Sequence, residues 1–289
     1  MLDDSTKIGT VRGVRLPPPF AIPFATLLCT HLALAQDPSP HREMTSESAP
    51  NIGYSLRGGL EVGGRWFVYS DPLVIATNLR PYDVTGVPLL TFGGSLRPLI
   101  WSHVPILDHT TFSFDYAFAP TLESSTSDEQ TVNTNWDHGD VKLHVPIRFD
   151  KLPLTPRLGP TLGYGWLGFS FTTSSSLSKE IPTVTYRFVR LGLTGEIAAT
   201  KRLSILAACD YLSPISGGEV YSRFRDPQVR GIDARAGAAF ELAQGTRIFL
   251  LVDYTRFFST FTPIPGDAYV AGGALDQFGR VEIGIEYGR

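Results

Sequence analysis

No stretch of this chain approaches the ~18 to 20 uninterrupted apolar residues that a membrane-spanning helix requires, which excludes a bundle of such helices. Charge is also scarce: charged residues make up 18% of the sequence and the net charge is -3, so no basic footprint for nucleic acid exists and that class of partner is set aside. There are two cysteines, Cys29 and Cys209, and only the second lies outside the leader described below. A lone cysteine cannot form an internal disulfide, so bridges do not hold the fold together. Metal-ligand spacings, a P-loop and a dinucleotide fingerprint are missing too, and neither a metal nor a cofactor is expected. Glycine (28) and aromatics (18 Phe, 11 Tyr, 4 Trp) are plentiful, which leans toward β structure.

The N-terminus reads as an export signal. Arg12 and Arg15 supply positive charge, Phe20 to Ala35 is largely apolar, and Ala33-Leu34-Ala35 before Gln36 fits a small-x-small cleavage site. Residues 1–35 are therefore expected to be a signal peptide and the polar residues 36–52 a flexible periplasmic linker, leaving 53–289 as the folded domain.

In Asp140 to Phe149, Val141, Leu143, Val145, Ile147 and Phe149 are apolar at every second position, with Lys142, His144, Pro146 and Arg148 between them. Period two marks a β-strand with one apolar and one charged face. Nine further segments show the same alternation: 53–69, 88–101, 110–123, 155–172, 183–199, 202–212, 229–242, 246–258 and 277–287. Two of them, 155–172 and 183–199, change phase, as a bulge would make them do; the first does so near Gly168. The connections 70–87, 124–135, 173–182, 213–228 and 259–276 are long, whereas 102–109, 150–154, 200–201 and 243–245 are short. Long breaks at one end and short ones at the other suit an up-and-down transmembrane β-barrel. Trp66, Tyr69, Trp101, Trp136, Phe149, Trp166, Phe240, Phe258 and Tyr287 fall near strand ends, as interfacial girdles would. The expectation is an all-β, antiparallel barrel of about ten strands, with eight or twelve as alternatives. Its apolar face meets lipid, with Val145 near mid-strand. A soluble, secreted ligand-binding β-barrel with the faces reversed remains the other reading of the same alternation.

The last strand, Gly279 to Arg289, alternates Val281, Ile283, Ile285 and Tyr287 and ends in Gly288-Arg289 instead of a terminal aromatic. With that strand, the signal and the loop asymmetry, residues 53–289 resemble the bacterial outer-membrane β-barrel proteins by pattern. The resemblance implies a Gram-negative outer membrane, contact with its lipid and lipopolysaccharide, insertion by the barrel-assembly machinery, and a monomer. The polar face then becomes a lumen lined by Arg57, Glu61, Arg65, Arg97, Asp115, Lys142, His144, Arg148, Arg190, Glu196, Asp210, Asp233, Arg235, Asp253, Arg280 and Glu282. Acids and bases are near balance, so this face is either a cross-linked structural interior or a narrow passive pore for small polar solutes or ions. No catalytic constellation stands out. The enzymatic alternative is a protease-like surface hydrolase at the outer rim near Asp137 and His138, since ten-stranded outer-membrane proteases need an Asp-His couple there.

Overall fold

The computed structural model describes residues 53–70, 79, 81–99, 108–120, 122–125, 131–149, 151–171 and 181–288; the expected signal peptide and linker lie outside them, as does Trp101. The alternating segments become β1 (Tyr54–Ser70), β2 (Tyr82–Leu96), β3 (Thr111–Phe118), β4 (Glu123–Ser125), β5 (Thr131–His144), β6 (Ile147–Arg148), β7 (Arg157–Phe171), β8 (Val184–Ala198), β9 (Leu203–Gly217), β10 (Gln228–Ala243), β11 (Thr246–Thr260) and β12 (Gly273–Gly288), with one short helix, α1 (Glu219–Arg223), between β9 and β10. All pairings are antiparallel; β3 pairs with β5 and β5 with β7, the other long strands pair with their chain neighbours, and β1 pairs with β12 from Ser55↔Gly288 to Ser70↔Gly273, which closes the sheet. Closure removes the unpaired edges that an open sheet would present. The short β4 pairs only with β5, and β6 only with β7. Each continues the line of the strand before it, so the barrel has ten staves.

The break inside the fourth stave, between β5 and β6, has a local cause. Pro146 has no N–H to give the ladder, so regular pairing stops at His144. The stave is carried across by the Val145 N–H on the Pro160 carbonyl (3.1 Å) and the Phe149 N–H on the Pro156 carbonyl (3.0 Å). The strand expected over Asp140 to Phe149 therefore starts at Thr131, and Val145 sits at the break instead of mid-belt. The second stave runs Tyr82–Leu96, earlier than its alternation implied, because a bulge opposite Gly63/Arg65 hides the period; Gly86, at φ 77°, supplies the left-handed turn it needs. The seventh and tenth expected strands extend to Gly217 and back to Gly273, through segments whose Gly, Ser and Pro content reads as loop.

The expected bulge near Gly168 does not exist. Register between β5, β7 and β8 runs unbroken from Trp136↔Phe169 to His144↔Thr161 and from Phe169↔Val184 downward. What changes is the chemistry of the faces. On β7, Gly159, Thr161, Gly163 and Gly165 point inward, and the same inward line continues with Leu167, Phe169 and Phe171. On β8 the inward line is Val184, Tyr186, Phe188 and then Arg190. Arg187 consequently points outward. A register shift does fall beside it, carried by an extra residue of β9, Ile215.

The molecule is inside out relative to a soluble protein. Leu60, Leu191, Leu193, Ile283 and Ile285 are each more than half exposed on the outer face, while Glu61, Arg65, Arg190, Asp233, Asp253, Asp276 and Arg280 are buried within. The outward side chains form an apolar belt, as lipid contact requires. The interior is layered. At the long-loop end it holds an apolar core of Phe67, Tyr69, Trp136, Phe169, Tyr186, Phe257, Phe278 and neighbours, in which Tyr186 and Phe257 stack at 3.9 Å. Tyr69 and Trp136 therefore belong to this core and not to a girdle. Glycine makes room for it: a Cβ on Gly63 would lie 2.6 Å from Trp136 Cη2, which reaches over from β5. Below the core lies a charged layer, and below that a small apolar group of Ala239, Phe249, Leu251 and Leu206.

Candidate functional site

The charged layer is where chemistry would have to reside. Arg190, on β8, bonds Asp140 on β5 through Nη1, and its Nη2 lies 2.6 Å from Asp233 Oδ2 on β10 and 3.0 Å from Asp210 Oδ2 on β9. Arg280, on β12, bonds Asp253 on β11 and is 3.7 Å from Asp233; Arg235 Nε donates to Asp253 at 2.8 Å. Lys142 Nζ is 3.0 Å from Asp140 and 3.3 Å from Asp115, which also pairs with Arg57. Thr255 donates to Asp233 at 2.5 Å, and Thr91 to Glu282 at 2.8 Å. His138 Nε2 and Glu61 Oε1 are 2.8 Å apart, joining β5 to β1 across the interior. Buried charges persist only when paired, and here each carboxylate of the layer meets a cation or a donor.

Arg65 is a separate case, fully buried inside the apolar core. Its Nε and Nη2 make two parallel bonds of 2.9 Å to Asp276, and the Tyr186 hydroxyl, from the opposite wall, donates to the same carboxylate at 3.1 Å. The guanidinium stands 4.5 Å from the Phe169 ring centre and 5.6 Å from that of Phe278. Its remaining Nη1 has no hydrogen-bond partner, and the ring faces offset that loss through cation–π attraction.

Sequence position alone did not mark Asp276, Tyr186 or Trp136. Asp276 fell in an expected loop, and the usable signal was the alternation running back from Gln277 to Gly273. Of the expected lumen residues, Arg57, Glu61, Arg65, Asp115, Lys142, His144, Arg190, Glu196, Asp210, Asp233, Arg235, Asp253, Arg280 and Glu282 are buried or half-buried along the inward lines of the staves. Arg97 follows β2 at the short-turn end, and Arg148, in β6, is exposed there. A cavity of about 20 Å³, room for one water, is lined by His138, Asp140, Arg190, Asp233, Arg235 and Arg280 among others.

The Asp137–His138 couple does not form. Neighbours on a strand project to opposite faces: His138 points inward to Glu61, whereas Asp137 points outward and accepts the Trp166 Nε1–H at 3.1 Å. Both also sit within β5, away from any rim loop. Among the described residues no group of His, Cys, Asp and Glu could hold a metal ion.

At the long-loop end, the 218–227 and 261–272 loops are clamped together. Phe224 and Phe261 stack at 4.0 Å, the Thr262 N–H donates to the Arg225 carbonyl at 3.1 Å, and Arg225 Nη2 bonds Asp267 at 3.0 Å. Arg223 pairs with Glu219 at 2.5 Å and lies over the Tyr269 ring at 5.4 Å. The Arg225 guanidinium and the Ile264 N–H hold the Asp267 carboxyl below the ordinary carboxylate range.

No family model matches the sequence, and no curated protein matches it. Among solved structures it is similar to the outer membrane protease OmpT from Escherichia coli (9% identity, 85% of this chain and 99% of that one, TM-score 0.44). It is also similar to the COG4313 outer membrane channel from Pseudomonas putida F1 (12%, 86% and 100%, 0.39) and to Ail, the attachment invasion locus protein of Yersinia pestis (8%, 82% and 99%, 0.31). With its apolar belt outside, its ion pairs inside and its sheet closed on itself, this chain has the architecture of a bacterial outer-membrane β-barrel.

Proposed function

We propose that this protein is a plugged barrel of the Gram-negative outer membrane, a structural or interaction protein that holds a rigid loop platform at its long-loop end. The observation that carries this reading is the set of links across the interior between staves that are not ladder partners: Glu61 to His138, Arg190 to Asp140, Tyr186 to Asp276, and Trp136 packed against Gly63 and Phe278. A narrow pore would need these groups to part, leaving charges unpaired in a confined space at a cost of several kcal/mol. The clamped loops support the second half, because a preorganised surface binds a partner without first losing its own conformational freedom. We place the chain in the membrane as a monomer inserted by the barrel-assembly machinery, with no enzymatic role. Reconstitution in a planar bilayer tests the reading: no unitary conductance is expected, and steady channels that vary with ion size would restore the pore.

A further inference from the structure

Outside the barrel, just beyond the apolar belt on the long-loop side, three arginines spread over four adjacent staves have no acidic partners. Arg187 (β8), Arg230 (β10) and Arg256 (β11) all point outward, and no ion pair or hydrogen bond joins their guanidinium groups to an acid among the described residues. Arg230 lies across from Phe258 and Arg256 across from Ile232, so the two are diagonal neighbours on one face, about 7–8 Å apart. Arg187 is two strands further round and, by the β8–β9 and β9–β10 registers, sits about three residues toward the loop end from the level of Arg230, roughly 14 Å away at the usual strand spacing and rise. A tryptophan stands on each flank: Trp166 is the ladder partner of Arg187, and Trp66 and Arg256 both pair with Gln277. The nearest outward carboxylate on the Trp166 side, that of Asp137, is already taken by the Trp166 indole N–H. Arg256 lies 4.6 Å from the Phe258 ring centre, and its Nε is buried without a partner.

A guanidinium on the lipid face is costly at mid-bilayer and nearly free at the interface, and tryptophan marks that interface. Three unpaired guanidinium groups at tryptophan height therefore meet the headgroups and not the chains. Arginine's planar fork matches phosphate oxygens in a two-point bond that zwitterionic headgroups, with their own neutralising amine, fill less well. We propose that Arg187, Arg230 and Arg256 form a docking site for the phosphate groups of phosphorylated lipid in the leaflet at the long-loop end. The site rests on the membrane placement above and adds to it a specific lipid chemistry.

The test uses the full barrel in phosphatidylcholine nanodiscs doped with lipid A or with phosphatidylglycerol, and counts lipid retained by native mass spectrometry. Wild type is expected to keep phosphorylated lipid over phosphatidylcholine, and Arg187→Gln/Arg230→Gln/Arg256→Gln to keep it about tenfold less or lower still. The corresponding lysine triple variant, which keeps charge and loses the fork, should fall between. Lys201→Gln/Arg202→Gln at the short-turn end should match wild type. Equal retention by wild type and the glutamine variant, both verified as folded by heat-modifiable migration, overturns the site. So does tight binding of inorganic phosphate without lipid, which would make it a free-anion site. A wild type that inserts into nanodiscs yet shows no lipid preference defeats this site alone; a wild type that stays soluble defeats the membrane reading beneath it.

Discussion

At the scale of single residues, the interior and the exterior obey opposite rules, and substitutions separate them. Arg190 holds three aspartates, and replacing it with glutamine leaves Asp140, Asp210 and Asp233 facing one another. Removing one partner of a buried pair costs about 3–5 kcal/mol, measurable by urea unfolding in lipid vesicles. Adding Asp233→Asn to Arg190→Gln removes one of the stranded charges and is expected to recover part of the loss; no recovery would show that the aspartates do not depend on Arg190. On the outer face the rule is depth. Ile283 is 60% exposed in the middle of β12, between Leu60 and Leu250. Ile283→Arg should cost about 2–4 kcal/mol, and Tyr287→Arg, near the end of the same strand, about 0–1 kcal/mol. Equal costs would mean that the belt has been placed at the wrong height.

At the scale of elements, the clamped loops predict a local response. Phe224→Ala removes the stack on Phe261, so protease cleavage within 218–227 and 261–272 should rise while the barrel keeps its heat-modifiable migration. The Arg225–Asp267 pair adds a pH response to the same loops. The folded carboxyl titrates below its unfolded value, so this pair's contribution is present above the ordinary carboxylate range and is lost as pH falls through the folded value. Cleavage of the loops at acid pH, by a protease active there, should increase in wild type and not in Asp267→Asn. The elements themselves were largely legible in the sequence: ten alternating segments correspond to ten staves because period two survives wherever one face meets lipid. It fails where that pressure is absent. Above the belt, β9 and β12 continue through Ser, Pro, Gly and Asp residues that carry no apolar alternation, and they read as loop. At Thr85-Gly86 an inserted residue erases the period locally. Asp137 and His138 misled for the opposite reason, since adjacency in sequence suggests a couple that a pleated strand forbids.

For the whole molecule, the expected signature is a folded species that migrates faster than its heated form and fractionates with outer membranes; recovery as a soluble periplasmic protein would end the membrane reading. The handover of apolar residues from outer to inner face takes place along unbroken staves, between Tyr164 and Leu167 on β7 and between Phe188 and Val189 on β8. Such a stave has a waterline written into it. Sinking the barrel would push Arg187 and Arg230 into hydrocarbon, and raising it would bring Leu191 and Ile232 into water; both displacements are opposed. The aromatic core at the long-loop end thus rides above the lipid as a dry keep with its own walls, and the vertical seat of the barrel is written in the side chains of its staves.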